Sequence, residues 1–409
     1  MHTQACRFCA ENLTETFADL GMSPLSNAFL RPSQANAMEK FYPLHAYVCS
    51  ACRLVQLAEF ETPETIFSDY LYFSSVSESW LTHAQTYAQT MIPRLNLNKN
   101  SEVIEIASND GYLLQYFAQS NIKVLGIEPA ANVAQHAIVK NIPTEIAFFG
   151  QATAQRLRET GHAPALIAAN NVLAHVPDIN DFVAGLKTLL PQTGTITVEF
   201  PHLERLIAEN QFDTIYHEHF SYFSLLTAEK ILAHHGLTIF DVEELSTHGG
   251  SLRIFAAHTD TKPISPNVTN IRNREIAAGL DSQTIYANFA TQIAETKYAL
   301  LDFLIKTHRE GKKIAAYGAP AKGNTLLNFC GIRADLLPFT VDRSPHKQGL
   351  LLPGSHIPIH PPEKILAEKP DYLLILPWNL RDEICTQMQQ IRTWGGKFVL
   401  PIPTLTILP

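Results

Sequence analysis

Apolar and polar positions change period several times along the chain, and the changes outline its architecture. Ser101–Ala107 (SEVIEIA) is a short β-rich run, Tyr112–Gln119 has a helical pattern, Lys123–Ile127 is again strand-like and Ala131–Lys140 helical. Ala165–Ala168 and Thr195–Phe200 add later strands. Strand and helix alternating in this way predict a doubly wound α/β domain with a parallel sheet. Ahead of it, residues 1–60 are rich in Pro, Asn and Ser and carry only brief apolar runs, too few to bury a core alone; Glu61–Leu97 then turns helical, with Tyr70, Tyr72, Ser74, Ser75 and Trp80. Behind it, Thr261–Ile271 is polar and holds Pro263, Pro266 and Asn267, a plausible boundary, and a long helical stretch from Ile271 to about Thr307 follows. Lys313–Tyr317 (KIAAY) opens a second strand-turn-helix unit, with strands expected at Leu337–Val341, Tyr372–Leu376 and Lys397–Pro401. The predicted division is 1–60, 61–260 and 261–409, the last a second α/β domain.

Length and composition agree with this division. A chain of 409 residues exceeds what one core usually organises, and 46% hydrophobic with 17% charged residues is a globular composition. A formal net charge of -8 without a basic run gives no footprint for nucleic acid or an anionic membrane. No stretch approaches the ~18 apolar residues of a membrane span, and Cys6 and Cys9 stand where a signal peptide needs an apolar core. A cytoplasmic protein is expected, with neither nucleic acid nor membrane as partner.

Four of the six cysteines form two C-x-x-C pairs, Cys6/Cys9 and Cys49/Cys52; Cys330 and Cys385 lie in apolar surroundings and read as core filling. The pairs resemble a zinc ribbon, in which four thiolates complete a tetrahedron and the metal supplies the missing folding energy. The residues between them, 10–48, exceed the usual ribbon spacing. A redox dithiol would need a pair opening a helix, which neither does, and four unconnected buried thiols are the bland alternative.

Two constellations carry chemistry. The first strand ends in Glu105 and runs through Ala107, Ser108, Asn109, Asp110 and Gly111 into a helix, where a doubly wound fold presents backbone N–H groups to a nucleotide. A loop binding S-adenosylmethionine usually has an acid and then three alternate glycines; here Ala107, Asn109 and Gly111 hold those places, so alone it equally fits an ordinary turn. Glu128, followed by Pro129 at the end of the second strand, can accept the ribose hydroxyls, and Asn170 and Asn171 end a later strand beside the same crevice. Together they favour a Rossmann-like S-adenosylmethionine site over a nicotinamide site.

The second constellation is Tyr216-His217-Glu218-His219, before Phe220, Ser221 and Tyr222. Four such groups cannot all be buried unpaired without losing several kcal/mol. Acid–base work fits them best. Metal binding through His217 and His219, which would share a face in a strand, and a polar surface turn are the alternatives. His175, His202 and His248 stand beside predicted strand ends or in glycine-rich turns, where a single histidine is more often structural.

These residues carry a resemblance. The chain is similar, nearly end to end, to the sugar C-methyltransferases that act on nucleotide-linked 4-keto-deoxysugars: the C-x-x-C pairs, YLYFSSVS, EIASNDGYLL, GIEPA, NNVLAHVPD, EFPHLERLI, FDTIYHEHFSYFSL, THGGSLR and GAPAKGNTLLNF. The resemblance implies a zinc-binding N-terminal domain, a central S-adenosylmethionine domain and a C-terminal α/β domain. It implies methyl transfer to C3 of a nucleoside-diphosphate 4-keto-6-deoxy sugar through an enolate, with His219 as base, Glu218 and Tyr216 as neighbours, and His175 and Tyr72 near the sugar. Which of His219, Tyr216 and His175 is the base stays open. Gly318–Asn324 resembles a phosphate cradle or is a plain turn; with Lys322 and Asn324 in it, and Arg253 in THGGSLR, contact with the diphosphate or sugar is expected, as it is for Tyr222, His202 and His248. A monomer or homodimer is expected. The rival readings are a nicotinamide-dependent sugar-nucleotide dehydrogenase or epimerase, disfavoured by the missing G-x-G-x-x-G, and a non-catalytic zinc-containing binding protein.

Overall fold

The computed structural model describes residues 4–62 and 73–409. Tyr70 and Tyr72 therefore lie outside the described residues. Three sheets organise the described residues. The first is antiparallel and contains β1 (Glu15–Ser23), β2 (Tyr42–Val48) and β3 (Val55–Leu57). The second is built from β4 (Glu102–Ile106), β5 (Lys123–Ile127), β6 (Thr144–Glu145), β7 (Leu166–Asn170) and β8 (Thr195–Pro201), all parallel. The chain then returns to the first sheet as β9 (Ser221–Tyr222), which pairs with β3. It completes the second with the hairpin β10 (Leu237–Leu245) and β11 (Ser251–His258), in the order β10-β11-β8-β7-β4-β5-β6.

Every residue of β4 and β7 is buried, as expected for central strands covered by helices on both faces; β7 reads as a nearly continuous apolar run, while β4 also buries Glu102 and Glu105. Strand order reverses between β4 and β7, and a doubly wound sheet opens its ligand crevice at the carboxyl ends of such a pair. Side-chain caps set several flanking helices: Ser77 accepts from Trp80 N at Glu78–Arg94, Asp178 from Asp181 N at Ile179–Leu189, and Ser224 from Thr227 N at Leu225–His234.

The third sheet, ordered β14-β13-β12-β15-β16-β17, contains β12 (Ile314–Tyr317), β13 (Thr340–Val341), β14 (Ile359–His360), β15 (Tyr372–Ile375), β16 (Lys397–Leu400) and β17 (Thr406–Leu408). Only β17 is antiparallel. The strand expected at Leu337–Val341 shrinks to two residues, because Pro338 has no N–H for a ladder. The stretch expected as one long helix is two, Pro266–Ala277 and Thr284–Arg309, parted where Gly279 takes a φ of 83°. Thr284–Arg309 joins the first sheet to the third through one core: Phe289 stacks on Phe17 of β1 at 4.7 Å, and Leu300 and Leu304 belong to the cluster holding Leu373 and Leu374 of β15.

Candidate active site and metal centre

The two C-x-x-C turns are copies of one another. In each, the residue after the second cysteine is left-handed (Ala10, φ 61°; Arg53, φ 68°) and its N–H donates to the first cysteine's carbonyl, at 2.9 and 3.0 Å. The four sulfurs lie within 4.8 Å of one another, with Cys6–Cys52 at 3.6 Å and Cys9–Cys49 at 3.5 Å. Tetrahedral zinc, with bonds of about 2.3 Å, holds its sulfurs about 3.8 Å apart, so the quartet fits that ion. Hydrogen bonding from Cys52, outweighing burial and aided by the Gln56 amide, pulls the Cys6 thiol down to about 4, so one thiolate is already favoured.

Past β4, Ala107, Asn109 and Gly111 have φ of 56°, 49° and 76°. The three alternate positions thus keep the left-handed backbone that glycine favours, with Ala and Asn in two of them. Asn109 also uses its side chain, Oδ1 accepting from Ser74 N at 2.9 Å, while Ser75 binds Asp110. Glu128 accepts from the backbone N–H of Asn109 and of Ala130, both at 2.9 Å, so it braces the loop as well as facing the cavity. Burial raises the Glu128 carboxyl, and it holds Glu105, beside the carboxylates of Glu128 and Asp110, well above the ordinary range. Asn170 Oδ1 and both polar atoms of the Asn171 amide are buried without a hydrogen-bond partner among the described residues, and both residues line the cavity. Such unsatisfied groups at a switch point fit a polar cofactor.

That cavity, about 610 Å³, runs from Ala107, Asn109, Glu128, Pro129, Asn170 and Asn171 to Tyr216, Glu218, His219, His175 and His248, and on to Lys322 and Lys347. Tyr216–His219 is a turn closed by His219 N to Tyr216 O at 2.8 Å, so the two flanking histidines do not share a strand face. His217 points away: its Nε2 reaches the Pro43 carbonyl at 3.3 Å, and its ring packs edge-on to Tyr42 and Phe60. A metal pair with His219 is thereby excluded. His219 Nδ1 donates to the Thr214 carbonyl at 3.0 Å, which leaves Nε2 as acceptor, 2.7 Å from the Tyr216 hydroxyl. Burial, with His175 nearby, holds the His219 imidazole well below its ordinary range, and therefore neutral.

His175 packs edge-on to His219 at 4.7 Å and donates Nδ1–H to the Glu218 carbonyl at 2.8 Å; burial brings it to about 4. Burial pushes the Glu218 carboxyl up to about 7, against a hydrogen bond from Asn27 Nδ2 at 2.7 Å. His248 is left-handed (φ 56°) in the turn after β10 and faces the cavity, brought by burial to about 4. Lys322 Nζ bonds Asn379 at 2.9 Å and lies over Trp378, while burial lowers it against the pull of Asp213.

Several expected residues do not reach this cavity. Arg253 is buried in β11, where Nε and Nη2 grip Glu199 at 2.7 and 2.6 Å and Nη1 binds Glu243. That pairing with acids corrects its expected contact with a diphosphate or sugar. His202 is likewise spent on Glu275, at 2.7 Å inside the core, and its edge lines a separate cleft. Asn324 is fully buried one turn into the helix Ala321–Cys330, and Glu105 and Gly111 lie behind the loop rather than on the wall. Tyr222 is in β9, with its ring 6.1 Å from His219. Conversely, Leu25, Asn27 and Phe29 line the cavity from the loop between the cysteine pairs, as do Trp80 and Lys347. The loop residues carry no periodicity or motif to flag them.

A crevice at the switch point of a doubly wound sheet, with unsatisfied polar groups at one end and a neutral histidine at the other, fits a small-molecule site, and comparison with known proteins specifies it. Family models match residues 6–67 ("Putative zinc binding domain"), 80–242 ("Methyltransferase domain") and 246–403 ("C-methyltransferase C-terminal domain"). The chain is 33% identical over 399 residues to the C-methyltransferase NovU of Streptomyces niveus, covering 97% of this chain and 95% of that protein. Among solved structures, magnesium protoporphyrin IX methyltransferase ChlM from Synechocystis PCC 6803 with bound SAH is 19% identical, covering 44% of this chain and 83% of that one, TM-score 0.35. PH0226 from Pyrococcus horikoshii OT3 is 11% identical, covering 49% and 100%, TM-score 0.36.

The protein is an S-adenosylmethionine-dependent methyltransferase with an N-terminal zinc-binding domain. More narrowly, the chain belongs to the C-methyltransferase family that includes NovU, which decides against the nicotinamide-dependent and non-catalytic alternatives. No helix among the described residues is long and apolar enough to cross a membrane.

Proposed function

We propose that the enzyme methylates C3 of a nucleoside-diphosphate 4-keto-6-deoxy sugar through an enolate, in the cytoplasm and as a monomer or homodimer, with residues 1–60, 61–260 and 261–409 as its working parts. The observation that carries this reading is the single cavity joining the cofactor loop to a neutral, hydrogen-bonded histidine. A carbon nucleophile has to be made by removing a proton, which methylation of a hydroxyl does not require.

Bound S-adenosylmethionine supplies the electrophilic methyl group; Asn170, Asn171, Glu128 and the backbone of 107–111 would hold it. His219 Nε2 takes the C3 proton, and the C–H electron pair moves toward the C4 oxygen. The Tyr216 hydroxyl, already at Nε2, turns to donate to that oxygen as charge develops. His175 and Glu218 frame the sugar, with Tyr72 as a further contact. Lys322 meets its negative end, with His248 on the same wall.

The test is incubation with S-adenosylmethionine and a panel of nucleotide-linked 4-keto-6-deoxy sugars in heavy water. The expected product is heavier by one methyl group and lacks the C3 proton. In His219→Asn, both solvent exchange at C3 and methylation fall by roughly 10²–10⁴-fold. Methylation with the C3 proton retained would sink the reading.

A further inference from the structure

The loop that lines the cavity from the N-terminal module invites one step more. Its residues 24–30 lie between the cysteine pairs, and Leu30 and Leu351 exchange backbone hydrogen bonds at 3.1 and 2.8 Å, which ties the loop to the C-terminal part. Glu39 reinforces the tie, accepting from Gly354 N at 2.7 Å and His356 Nε2 at 2.9 Å. A tight turn, with Ala28 N to Leu25 O at 3.1 Å and Phe29 N to Asn27 O at 2.9 Å, then turns Asn27 to the cavity wall. Its amide meets Glu218, a buried carboxylate on the turn that carries His219.

We propose that Asn27 is a positioning residue for the reaction centre: its amide holds the Glu218 carboxylate in place and in its ionised form, which makes the zinc module part of the active site. The proposal rests on the reading of the Tyr216–His219 turn as the reaction centre. A carboxylate is an acceptor only, so the amide nitrogen faces it, and a hydrogen bond to the charged form favours that form. Lys347 from the C-terminal part acts in the same sense. Titratable groups on the same cavity wall are His175 after β7, Tyr216 and His219 on the Glu218 turn, and Glu128, His248, Lys322 and His346, while His217 of that turn points away to Pro43. Among these the Asn27 amide is the neutral donor that the structure places on the carboxylate.

Infrared titration of the full-length, zinc-loaded protein, with Glu218→Gln subtracted to single out the carboxyl band, reads the Glu218 midpoint without substrate. Asn27→Ala is expected to move that midpoint up by about one pH unit, and Asn27→Asp further, since it sets a like charge beside Glu218. Asn27→Gln, which keeps the donor, restores part of the shift. In turnover, Asn27→Ala lowers kcat and moves the acid limb of the pH profile upward, while KM for S-adenosylmethionine and zinc content stay at wild-type values. An unmoved midpoint in both the Ala and Asp variants overturns the proposal, as does a wild-type pH profile. A shifted midpoint in an enzyme inactive on every 4-keto sugar would leave Asn27's hold on Glu218 standing and overturn the substrate reading instead.

Discussion

Glu218 and Arg253 are both buried ionisable groups, yet their surroundings give them opposite parts. Glu218 faces an open cavity with the neutral Asn27 amide and the Lys347 ammonium for company, and burial lifts its carboxyl from the usual 4.5 to about 7. Its native form binds its proton more tightly than the unfolded chain does. Stability is thus unaffected while both forms are protonated, and it is lost as pH rises from about 4.5 through about 7, by on the order of 3 kcal/mol. Glu218→Gln should accordingly raise Tm at pH 8 and leave it nearly unchanged at pH 4, even as it impairs turnover; a pH series of melting curves checks this. Arg253, by contrast, neutralises Glu199, which is fully buried and has His83 as its other ionic partner among the described residues. Removal of one member of such a pair leaves an uncompensated buried charge, so Arg253→Ala should cost about 3–5 kcal/mol in urea unfolding. A sugar-nucleotide ligand at this position would instead give a raised KM with an unmoved midpoint.

At the scale of the element, backbone shape at the proposed cofactor loop, 107–111, outlasts the usual residues. Ala107 and Asn109 hold left-handed conformations where glycine is customary, and a left-handed alanine carries about 1–2 kcal/mol of strain. Ala107→Gly should therefore keep S-adenosylmethionine binding and not lower Tm. Ala107→Val adds a β-branched side chain to the same φ and should destabilise the protein by about 1–3 kcal/mol and weaken cofactor binding, read by calorimetry. The loop's location was legible because a strand, a turn and a helix follow in a few residues; its conformation was not, since periodicity says nothing of φ. The same divide runs through the fold. Lys123–Ile127 was readable to the residue because its ladder partners flank it in order, whereas β9 pairs with β3 across more than 160 residues of chain and left no local trace. His217 and His219 look equivalent in sequence, and only the turn that aims one at Pro43 and the other at Thr214 separates them. The partner of Arg253 was not legible either, because an arginine a few residues after a glycine pair reads the same whether it meets a phosphate or a buried Glu199.

On the scale of the whole molecule, the three sheets are not independent. β3 of the N-terminal sheet pairs with β9, two residues beyond the His219 turn, and Phe17 of β1 stacks on the helix that leads to the third sheet. The cysteine turns sit at the root of this arrangement: Cys49 and Cys52 close the turn between β2 and β3, and the Cys52 carbonyl accepts from Thr227 and Lys230 of the central part. The core side chains of this N-terminal part pack mostly against the rest of the chain, so its own turns are expected to rely on the metal, and structural zinc contributes roughly 10–16 kcal/mol in zinc-finger peptides. Zinc removal should therefore do more than loosen the N-terminus. As β3 loses its anchor, β9 and the His219 turn lose theirs, and Asn27 leaves Glu218. We expect a strong chelator to lower Tm and abolish methyl transfer together, with hydrogen exchange rising first at residues 44–57 and then at 216–222. S-adenosylmethionine binding, which the proposed site assigns to the ends of β4, β5 and β7, should survive at temperatures where turnover is already gone. Cofactor affinity and activity falling in step at every zinc occupancy would instead mean that the central sheet itself depends on the metal.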